Sequence, residues 1–437
     1  MTDEKLADVS DKVIREYQVD KASRKDWEQK INDAMKIAMQ VTEEKNYPWP
    51  KASNVKFPMM TTAAIQFAAR SYPAIVPASN VVKTKVFGSD EGIPAQDQTG
   101  QPMVDLESGE VLQWKIEPGA KRERGDRVSS HMSWQLTEEM EEWEEDTDRL
   151  LHILPIVGIL HRKTWYDPLL RRNRSEICLP MDVVINYFAK STQSAPRITH
   201  RVPVYPHEIE ERIRGGIYRH FEYGVAPEGG DDDDAPHWML EQHRMLDLDG
   251  DGYPEPYIVE VHEETRECVR VVGRFDLDSI LADSEGNVVK IEPEHYFTKY
   301  GFIPAPDGSY YDVGFGVLLH PMNEAVNATL NQLLDAGHLQ NTGGGFIGSG
   351  VRMKSGVLRF KGPGEYKRVE ISGGTLRENI VEMPFKGPSP VLFQLLGLLI
   401  DAGKEIASIK DVLLGQQETN QTATTTLALV EQGMKVF

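Results

Sequence analysis

The sequence predicts an α+β fold, and three patterns indicate it. Apolar residues recur at intervals of three and four along several stretches, which is typical of amphipathic helices. Between about 237 and 275, apolar and polar residues alternate instead, which predicts antiparallel strands. Between 310 and 415, two helical stretches enclose a Gly-rich segment with short strand patterns. The functional interpretation depends most on this last arrangement.

The chain has 437 residues and a formal charge of -20, with 68 acidic and 48 basic side chains. This balance disfavours a protein that grips nucleic acid, because neutralising phosphates requires an excess of Lys and Arg. It does not exclude a protein that surrounds DNA without holding it. The length allows two or three domains.

The cysteines and the hydropathy of the sequence indicate the cellular compartment in which the protein is expected. Cys178 and Cys268 lie outside any metal-binding spacing, so reduced thiols are expected. Met1–Lys12 is polar and acidic, unlike a signal peptide. The longest apolar run, Val391–Ile400, is about half the length that spans a bilayer. We therefore expect a soluble intracellular protein.

The first third of the chain alternates between helix and strand patterns. Helical spacing covers 8–46 and ends at the Pro-containing run 47–50, because proline cannot continue a helix. A buried helix of small residues is predicted at 59–70. Alternating residues predict strands at 80–87 and 111–116.

One long helix is predicted at 126–151, with an apolar stripe and a strongly acidic remainder. Its carboxylates are Glu138, Glu139, Glu141, Glu142, Glu144, Glu145, Asp146 and Asp148. Carboxylate pairs can bind metal or transfer protons, but so many on one helix favour a solvated face. The elements predicted beyond it are strands at 162–166 and 176–186, a helix at 208–214, and a meander with strands at 237–246, 257–263 and 267–275.

The first turn of the meander is acidic. Asp247, Asp249 and Asp251 occupy alternate positions and a glycine follows, as at the start of an EF-hand calcium loop. The EF-hand pattern then fails, because Ile258 stands where the bidentate Glu would be and the flanks are strands. Asp247, Asp249, Asp251 and Glu255 are therefore a candidate Ca²⁺ site. A tight turn with Asp side chains bonded to the backbone is the competing interpretation.

The helix at 319–337 carries one apolar stripe and a flank of amides. Pro321 fits only the first turn, and Gly337 is the predicted left-handed cap. The amides of Asn323, Asn327 and Asn331 suit a helix packed beside copies of itself.

Segment 338–387 is locally basic, with eight Lys or Arg against four Glu, a charge of +4. Such asymmetry predicts either a docking site for an acidic partner or a small solvated β-module. Its Gly343–Gly348 run matches GxGxxG, but it follows a helix and leads into a strand, the reverse of a dinucleotide site. The sequence contains no GxxxxGK[ST], HExxH or GxSxG motif, so no enzyme is predicted.

A second helix is predicted from Pro390 to Gly415. Eight of the ten residues in Val391–Ile400 are large and apolar, so this helix should be buried on all sides. A single chain could bury it, and so could a ring of subunits. Helical spacing resumes after Thr425 and continues to Phe437, and the natural protein is expected to continue.

In the order of its motifs, the chain resembles the portal proteins of tailed double-stranded-DNA bacteriophages. The residues that carry the resemblance are Pro48–Asn54, Thr61–Ala69, Asn173–Glu176, Asp247–Glu255, Tyr311–Gly316, Leu392–Ile400 and Thr422–Gly433. They are spread over most of the chain, and their order carries the resemblance more than any single motif does.

The resemblance implies the portal fold: a ring, usually of twelve subunits, at one capsid vertex, through which DNA is packaged and ejected. The implied regions are a wing (1–316), a stem (317–337 and 389–415), a clip (338–388), and a tunnel loop with the start of a long helix (416–437). Implied partners are other copies of the chain, the terminase large subunit, capsid and scaffold proteins, head–tail adaptors, and double-stranded DNA that passes through the channel without sequence specificity. Virion and host-cytoplasm locations follow, with no cofactor except a possible Ca²⁺.

The resemblance also assigns residues to these regions. Partner docking at the clip is implied for Arg352, Lys354, Arg359, Lys361, Lys367 and Arg368. DNA-facing positions of the tunnel loop are Gln416, Gln417, Thr419, Asn420, Gln421 and Thr422. Inter-subunit stem contacts are Leu392, Phe393, Leu396 and Leu399. The alternatives are a Ca²⁺-dependent β-rich binding or carbohydrate-active protein that uses the Asp247–Glu255 loop, and another phage ring component such as an adaptor.

Overall fold

The computed structural model describes residues 2–47, 49–77, 80–94, 111, 114–226, 232–284, 288–342, 345–347, 351–353, 369–371, 380–382 and 387–407. Within them the protein has the predicted α+β composition. The chain divides into two compact units. Of the described residues, the first comprises those up to Met35 and those of Ala64–Val317, and the second comprises Lys36–Ala63 and those from Leu318 to 407. None of the described helices combines the length and the hydropathy needed to cross a membrane.

The helices are α1 (Asp3–Ser23), α2 (Lys25–Ala38), α3 (Met59–Ile75), α4 (Ala120–Trp134), α5 (Trp143–Val157), α6 (Pro206–Arg214), α7 (Phe315–Leu318), α8 (His320–Thr342) and α9 (Pro390–Ile406). The strands are β1 (Ile93–Pro94), β2 (Trp114–Ile116), β3 (Ile159–Asp167), β4 (Arg172–Cys178), β5 (Val183–Ile185), β6 (Arg197–Val204), β7 (His237–Leu246), β8 (Glu255–His262), β9 (Cys268–Gly273), β10 (Ile280–Ala282), β11 (Val288–Ile291), β12 (Phe297–Gly301), β13 (Gly345–Ile347), β14 (Val351–Met353), β15 (Val369–Ile371) and β16 (Ile380–Glu382).

The first unit is built around an antiparallel five-stranded sheet with the order β5-β6-β7-β8-β9. Helix α1 packs its apolar stripe, which includes Val13 and Tyr17, against Leu240 of β7 and Val259 and Val261 of β8. These three strand residues are fully buried. The predicted meander is therefore present as β7, β8 and β9, and two further strands extend it.

A three-stranded antiparallel sheet, ordered β12-β3-β4, accompanies the larger one. Ile159 of β3 and Phe297 of β12 share a buried cluster with Ile185 and Ile198 of the larger sheet. A further cluster joins Ile209 of α6 to strands β6, β7 and β9. The core of this unit therefore lies between its two larger sheets and beneath α1 and α6, and the pairs β1–β2 and β10–β11 form two small antiparallel sheets in the same unit.

Two glycines allow a close backbone contact beside β3. Gly158 has φ +88°, and a Cβ on it would lie 2.5 Å from the Asp312 carbonyl oxygen. A Cβ on Gly314 would lie 2.5 Å from the Ile156 carbonyl oxygen. Since side chains cannot occupy these positions without moving backbone, the Tyr311–Gly316 motif is explained by packing.

The prediction of a single helix at 126–151 is wrong. Helix α4 ends at Trp134, a π-helical turn spans Gln135–Glu139, and α5 begins at Trp143. Arg172 of β4 donates a hydrogen bond to the Glu139 carbonyl at 2.9 Å, which satisfies an acceptor at the break. Most of the carboxylates of this region are exposed as predicted, but Asp146 is buried and accepts a hydrogen bond from the Ile177 amide.

The strand predicted at 80–87 is also wrong. This extended segment has no strand partner among the described residues and is held on α4 by serines. The Val82 amide donates to Ser133 Oγ at 3.1 Å, and Ser129 Oγ donates to the Val82 carbonyl. The hydroxyls of α4 thus replace a neighbouring strand.

Other boundaries differ from the predictions. Helix α2 ends at Ala38, so the helical region predicted at 8–46 is shorter. Helix α3 extends past Arg70 to Ile75, with Pro73 inside it, and Ile65 is exposed. The strand predicted at 176–186 is split into the end of β4 and β5. Strand β6 was not predicted.

The second unit contains α8 and α9, which pack against each other. Helix α8 continues past Gly337 to Thr342, so the predicted left-handed cap at Gly337 is wrong. Helix α9 begins at Pro390, and its described part ends at Ile406. Between them, β13 pairs with β16 and β14 with β15, both antiparallel.

Candidate functional site

In the second unit, the extended segment Ala52–Pro58 lies along α8 and is bound by a row of side chains on that helix. Three amides of the segment donate hydrogen bonds to oxygens that recur every four residues of α8. The donor–acceptor pairs are Ser53 N to Asp335 Oδ1 at 2.8 Å, Val55 N to Asn331 Oδ1 at 2.7 Å, and Phe57 N to Asn327 Oδ1 at 2.7 Å. We call this set the amide ladder.

Asn331 is the central rung of the amide ladder. Its side chain accepts from the Val55 amide and returns a hydrogen bond from Nδ2 to the Val55 carbonyl at 3.0 Å. A carboxamide can imitate the backbone of a neighbouring strand in this way, because it carries one acceptor and two donors. Asn327, Asn331 and Asp335 are all buried. The ladder therefore joins two motifs that are about 275 residues apart in sequence.

Asn323, one step further along α8, is different. It is fully buried, and neither its Oδ1 nor its Nδ2 has a hydrogen-bond partner among the residues that the structure describes. Of the three amides predicted to bridge copies of the helix, Asn327 and Asn331 are thus used within the chain itself.

Replacing the buried Asn331 with Leu should destabilise the second unit by about 1–3 kcal/mol, since two hydrogen bonds to the Val55 backbone are lost, each contributing about 0.5–1.5 kcal/mol. Hydrogen exchange should show faster exchange at the amides of 53–57, and chemical denaturation should show the loss of stability. Gln332→Leu is the matched control, because Gln332 is exposed on the same helix. Equal effects of the two substitutions would contradict the ladder's role.

Helix α9 leaves an apolar stripe in solvent. Val391, Leu395, Leu398 and Ile406 follow helical spacing and are exposed by 70%, 42%, 68% and 45%. We call these four residues the α9 stripe. Among the predicted inter-subunit residues, Leu392, Leu396 and Leu399 are half-buried within the chain, whereas Phe393 is exposed. The expectation of a helix buried on every side is therefore not met within one chain.

The predicted clip and tunnel residues lie mostly outside the described residues. Arg352 is in β14, but its side chain is not described. Lys354, Arg359, Lys361, Lys367 and Arg368 lie outside the described ranges, and so do Gln416, Gln417, Thr419, Asn420, Gln421 and Thr422. Their roles stay predictions.

The acidic turn brings three of its four predicted ligands together. Carboxylate oxygens of Asp247, Asp249 and Asp251 lie within 4.8 Å of one another, and all three side chains are exposed. Glu255 is outside this group and accepts a hydrogen bond from the Tyr257 hydroxyl at 3.2 Å. The turn can therefore offer oxygen ligands to a hard cation, with solvent completing the coordination.

The same carboxylates already have backbone partners. Asp247 accepts from the amides of Gly250 and Gly252 at 2.7 and 3.0 Å, and Asp251 accepts from Tyr253 at 2.7 Å. The Gly250 amide, foremost, holds the pKa of Asp247 below its ordinary value. The two contrasting explanations, a cation site and a tight turn bonded to its own backbone, both fit this geometry.

A cavity of about 280 Å³ lies in the first unit, among residues of β3, β4, α6, β7, β8 and β9. Its buried charges are paired with one another. Glu241 accepts from Lys163 Nζ at 2.6 Å and lies 2.7 Å from His243 Nε2. Glu260 accepts from the Tyr218 hydroxyl and from Arg270 Nη1, both at 2.6 Å.

These pairs keep the side chains of Glu241 and Lys163 charged. Burial alone would raise the pKa of Glu241, but Lys163 and His243 hold it well below the ordinary carboxyl range. Burial likewise opposes the charge on Lys163, yet Glu241 outweighs it and raises the Lys163 pKa. Both oxygens of each glutamate are engaged, so the network stabilises the cavity wall.

Sequence reasoning missed this network and a second cluster formed by His237, His262 and Glu264. In sequence, Lys163 and Glu241 are 78 residues apart, and His237 and His262 are 25 apart. Only the order and register of the strands bring them together. A charged residue that directly follows apolar residues within a strand, such as Glu241 after Met239 and Leu240 in β7, is the one signal that could have indicated the network.

A comparison of the chain with protein-family models gave no match, and a comparison with curated protein sequences gave none either.

Proposed function

We propose that this protein is a portal subunit of a tailed double-stranded-DNA bacteriophage, acting as a structural conduit for DNA. The observation that carries the proposal furthest is the α9 stripe, combined with the ordered sequence motifs of the family. Four large apolar side chains at helical spacing are exposed on α9, one of the two helices that the resemblance assigns to the stem. Copies of the chain arranged around a ring would cover them, because a closed ring packs one face of each subunit against a different face of the next.

The charge of the chain is compatible with a channel through which DNA moves. Each phosphate that a protein neutralises adds affinity through counterion release, and this would slow translocation. A chain with a net charge of -20 repels the duplex instead of holding it. The locally basic segment 338–387 would then dock proteins, namely the packaging motor during filling and the tail adaptors afterwards.

The assembly state tests this proposal directly. The purified chain should form a closed ring with about twelve times the mass of one 49.3 kDa subunit. Mass photometry and negative-stain electron microscopy would measure the mass and the number of subunits. A monodisperse monomer at micromolar concentration, with the full-length chain, would refute the proposal.

The Ca²⁺-dependent alternative has one supporting observation, the convergence of Asp247, Asp249 and Asp251. It predicts a monomer whose melting temperature rises when Ca²⁺ is added and does not rise in Asp249→Asn. A Ca²⁺ response in an assembled ring would show that both features coexist, so the two measurements should be made on the same sample.

A further inference from the structure

Three nitrogen and oxygen donors converge at one end of the five-stranded sheet. His237 is the first residue of β7, His262 is the last residue of β8, and Glu264 lies in the turn that leads to β9. His262 Nε2 lies 3.2 Å from His237 Nδ1. Glu264 Oε2 lies 3.6 Å from His237 Nδ1 and 3.8 Å from His262 Nε2.

These separations fit the edges of a tetrahedron around a transition-metal ion. Zinc binds imidazole nitrogen and carboxylate oxygen at about 2.0–2.2 Å, and tetrahedral geometry then sets neighbouring ligand atoms about 3.3–3.6 Å apart. The three observed distances surround that range. The same atoms all face one another, so only small side-chain shifts are needed to bind an ion.

The surroundings of the cluster are those of an ordered metal site. Both imidazoles are buried, with Tyr223 packed against His237 at a ring distance of 4.9 Å and Phe221 against His262 at 5.4 Å. These aromatic walls fix the rings and exclude water. The Glu264 side chain is 24% exposed, so one side of the cluster remains open to solvent.

The hydrogen bonds of His262 allow a metal ion to replace the proton on Nε2 while the imidazole of His262 stays neutral. Thr265 N donates to His262 Nδ1 at 3.2 Å, which places the proton on Nε2, between the two imidazoles. When a metal takes Nε2, that proton moves to Nδ1, and the Thr265 amide must give up its hydrogen bond to Nδ1. Thr265 Oγ1, 2.9 Å from Nδ1, is positioned to accept a hydrogen bond from the protonated Nδ1 in its place. A partner on the remote nitrogen orients the metal-bound imidazole.

We propose that His237, His262 and Glu264 form a binding site for a divalent transition metal of the zinc type. The fourth position, on the side of Glu264, would be filled by water. Bound there, the ion would link the start of β7 to the end of β8 and to the β8–β9 turn. It would thereby stabilise this end of the five-stranded sheet. The site does not depend on the proposed portal function.

The test is metal binding by the full-length, metal-stripped protein. Calorimetry should find one Zn²⁺ per chain, Zn²⁺ should raise the melting temperature by several degrees, and Co²⁺ should give the visible absorption of a tetrahedral complex. Glu264→Gln should weaken Zn²⁺ binding at least about a hundredfold, and so should His237→Gln. Because His237 is buried and its replacement can disturb folding, the partly exposed Glu264 provides the decisive variant.

Two controls separate this cluster from other donors. His220→Gln removes an exposed imidazole of the same unit, and Asp249→Asn alters the acidic turn. Both variants should bind Zn²⁺ as the unaltered protein does. The proposal is overturned if the unaltered protein shows no saturable Zn²⁺ binding, or if Glu264→Gln binds Zn²⁺ with unchanged affinity.

Discussion

Glu241→Gln should lower the free energy of unfolding of the first unit by about 3–5 kcal/mol, because it leaves a buried lysine without its counter-charge. Lys163 and Glu241 are both buried, and their charged atoms lie 2.6 Å apart. His243 loses its charged partner at the same time. Urea denaturation monitored by tryptophan fluorescence would measure the loss.

The acid side of the stability profile gives a second measurement of the same variant. The folded-state pKa of Glu241 lies well below the ordinary 4.5, so its contribution is complete above that pH. The contribution is lost as the pH falls through the depressed pKa of the folded protein. The Glu241→Gln protein should therefore be less stable than the unaltered protein at neutral pH. On acidification its free energy of unfolding should fall by less than that of the unaltered protein.

Two further variants control for the loss of a charge alone. Glu292→Gln breaks an exposed pair with Lys290 and should leave stability unchanged. The double variant Lys163→Met/Glu241→Leu removes both buried charges together and should recover much of the loss, since an apolar pair of similar size carries no desolvation cost. A small effect of Glu241→Gln would mean that water reaches the pair.

Val391→Asp combined with Leu398→Asp should abolish assembly of the proposed ring while leaving the subunit folded. Both residues are about 70% exposed in the single chain, so charges there cost little within the subunit. At an interface the same carboxylates would be buried without partners, and an unpaired buried charge opposes association strongly. Mass photometry should find monomers, and circular dichroism should find an unchanged helix content.

The control for this variant lies on the same helix. Gln394→Glu introduces a charge at an exposed position outside the α9 stripe and should leave the ring intact. If the double variant still forms rings, the stripe is not an interface. If Gln394→Glu also abolishes rings, the effect comes from net charge and the stripe has no special role.

Patterns that arise within one element could be predicted from the sequence. The alternation in β8 and β9 located the meander, and Pro321 and Pro390 located the starts of α8 and α9. These signals are local, because a helix start or a half-buried strand depends on neighbours a few residues away.

Features that depend on distant partners could not be predicted. The break at Gln135–Glu139 interrupts a continuous apolar stripe. Arg172, which donates a hydrogen bond to the Glu139 carbonyl there, belongs to another element. Strand β6 was missed because Thr199 and His200 are buried polar residues that obscure the alternation. The cluster of His237, His262 and Glu264 and the charged cavity likewise form only once strands are placed side by side.

The amide ladder cannot be extended indefinitely, because the acceptors on the helix and the amides of the extended segment are spaced differently along their axes. Four residues of helix advance about 6.0 Å, whereas two residues of extended chain advance about 6.4–6.8 Å. Three rungs can absorb this drift within the tolerance of a hydrogen bond. A fourth would set Asn323 opposite Met59, where the chain has turned into α3 and the Met59 amide donates to the Phe57 carbonyl at 2.9 Å. Helix α8 thus holds the extended segment over the three rungs from Ser53 to Phe57, and one inserted residue in the segment would displace every later amide from its acceptor.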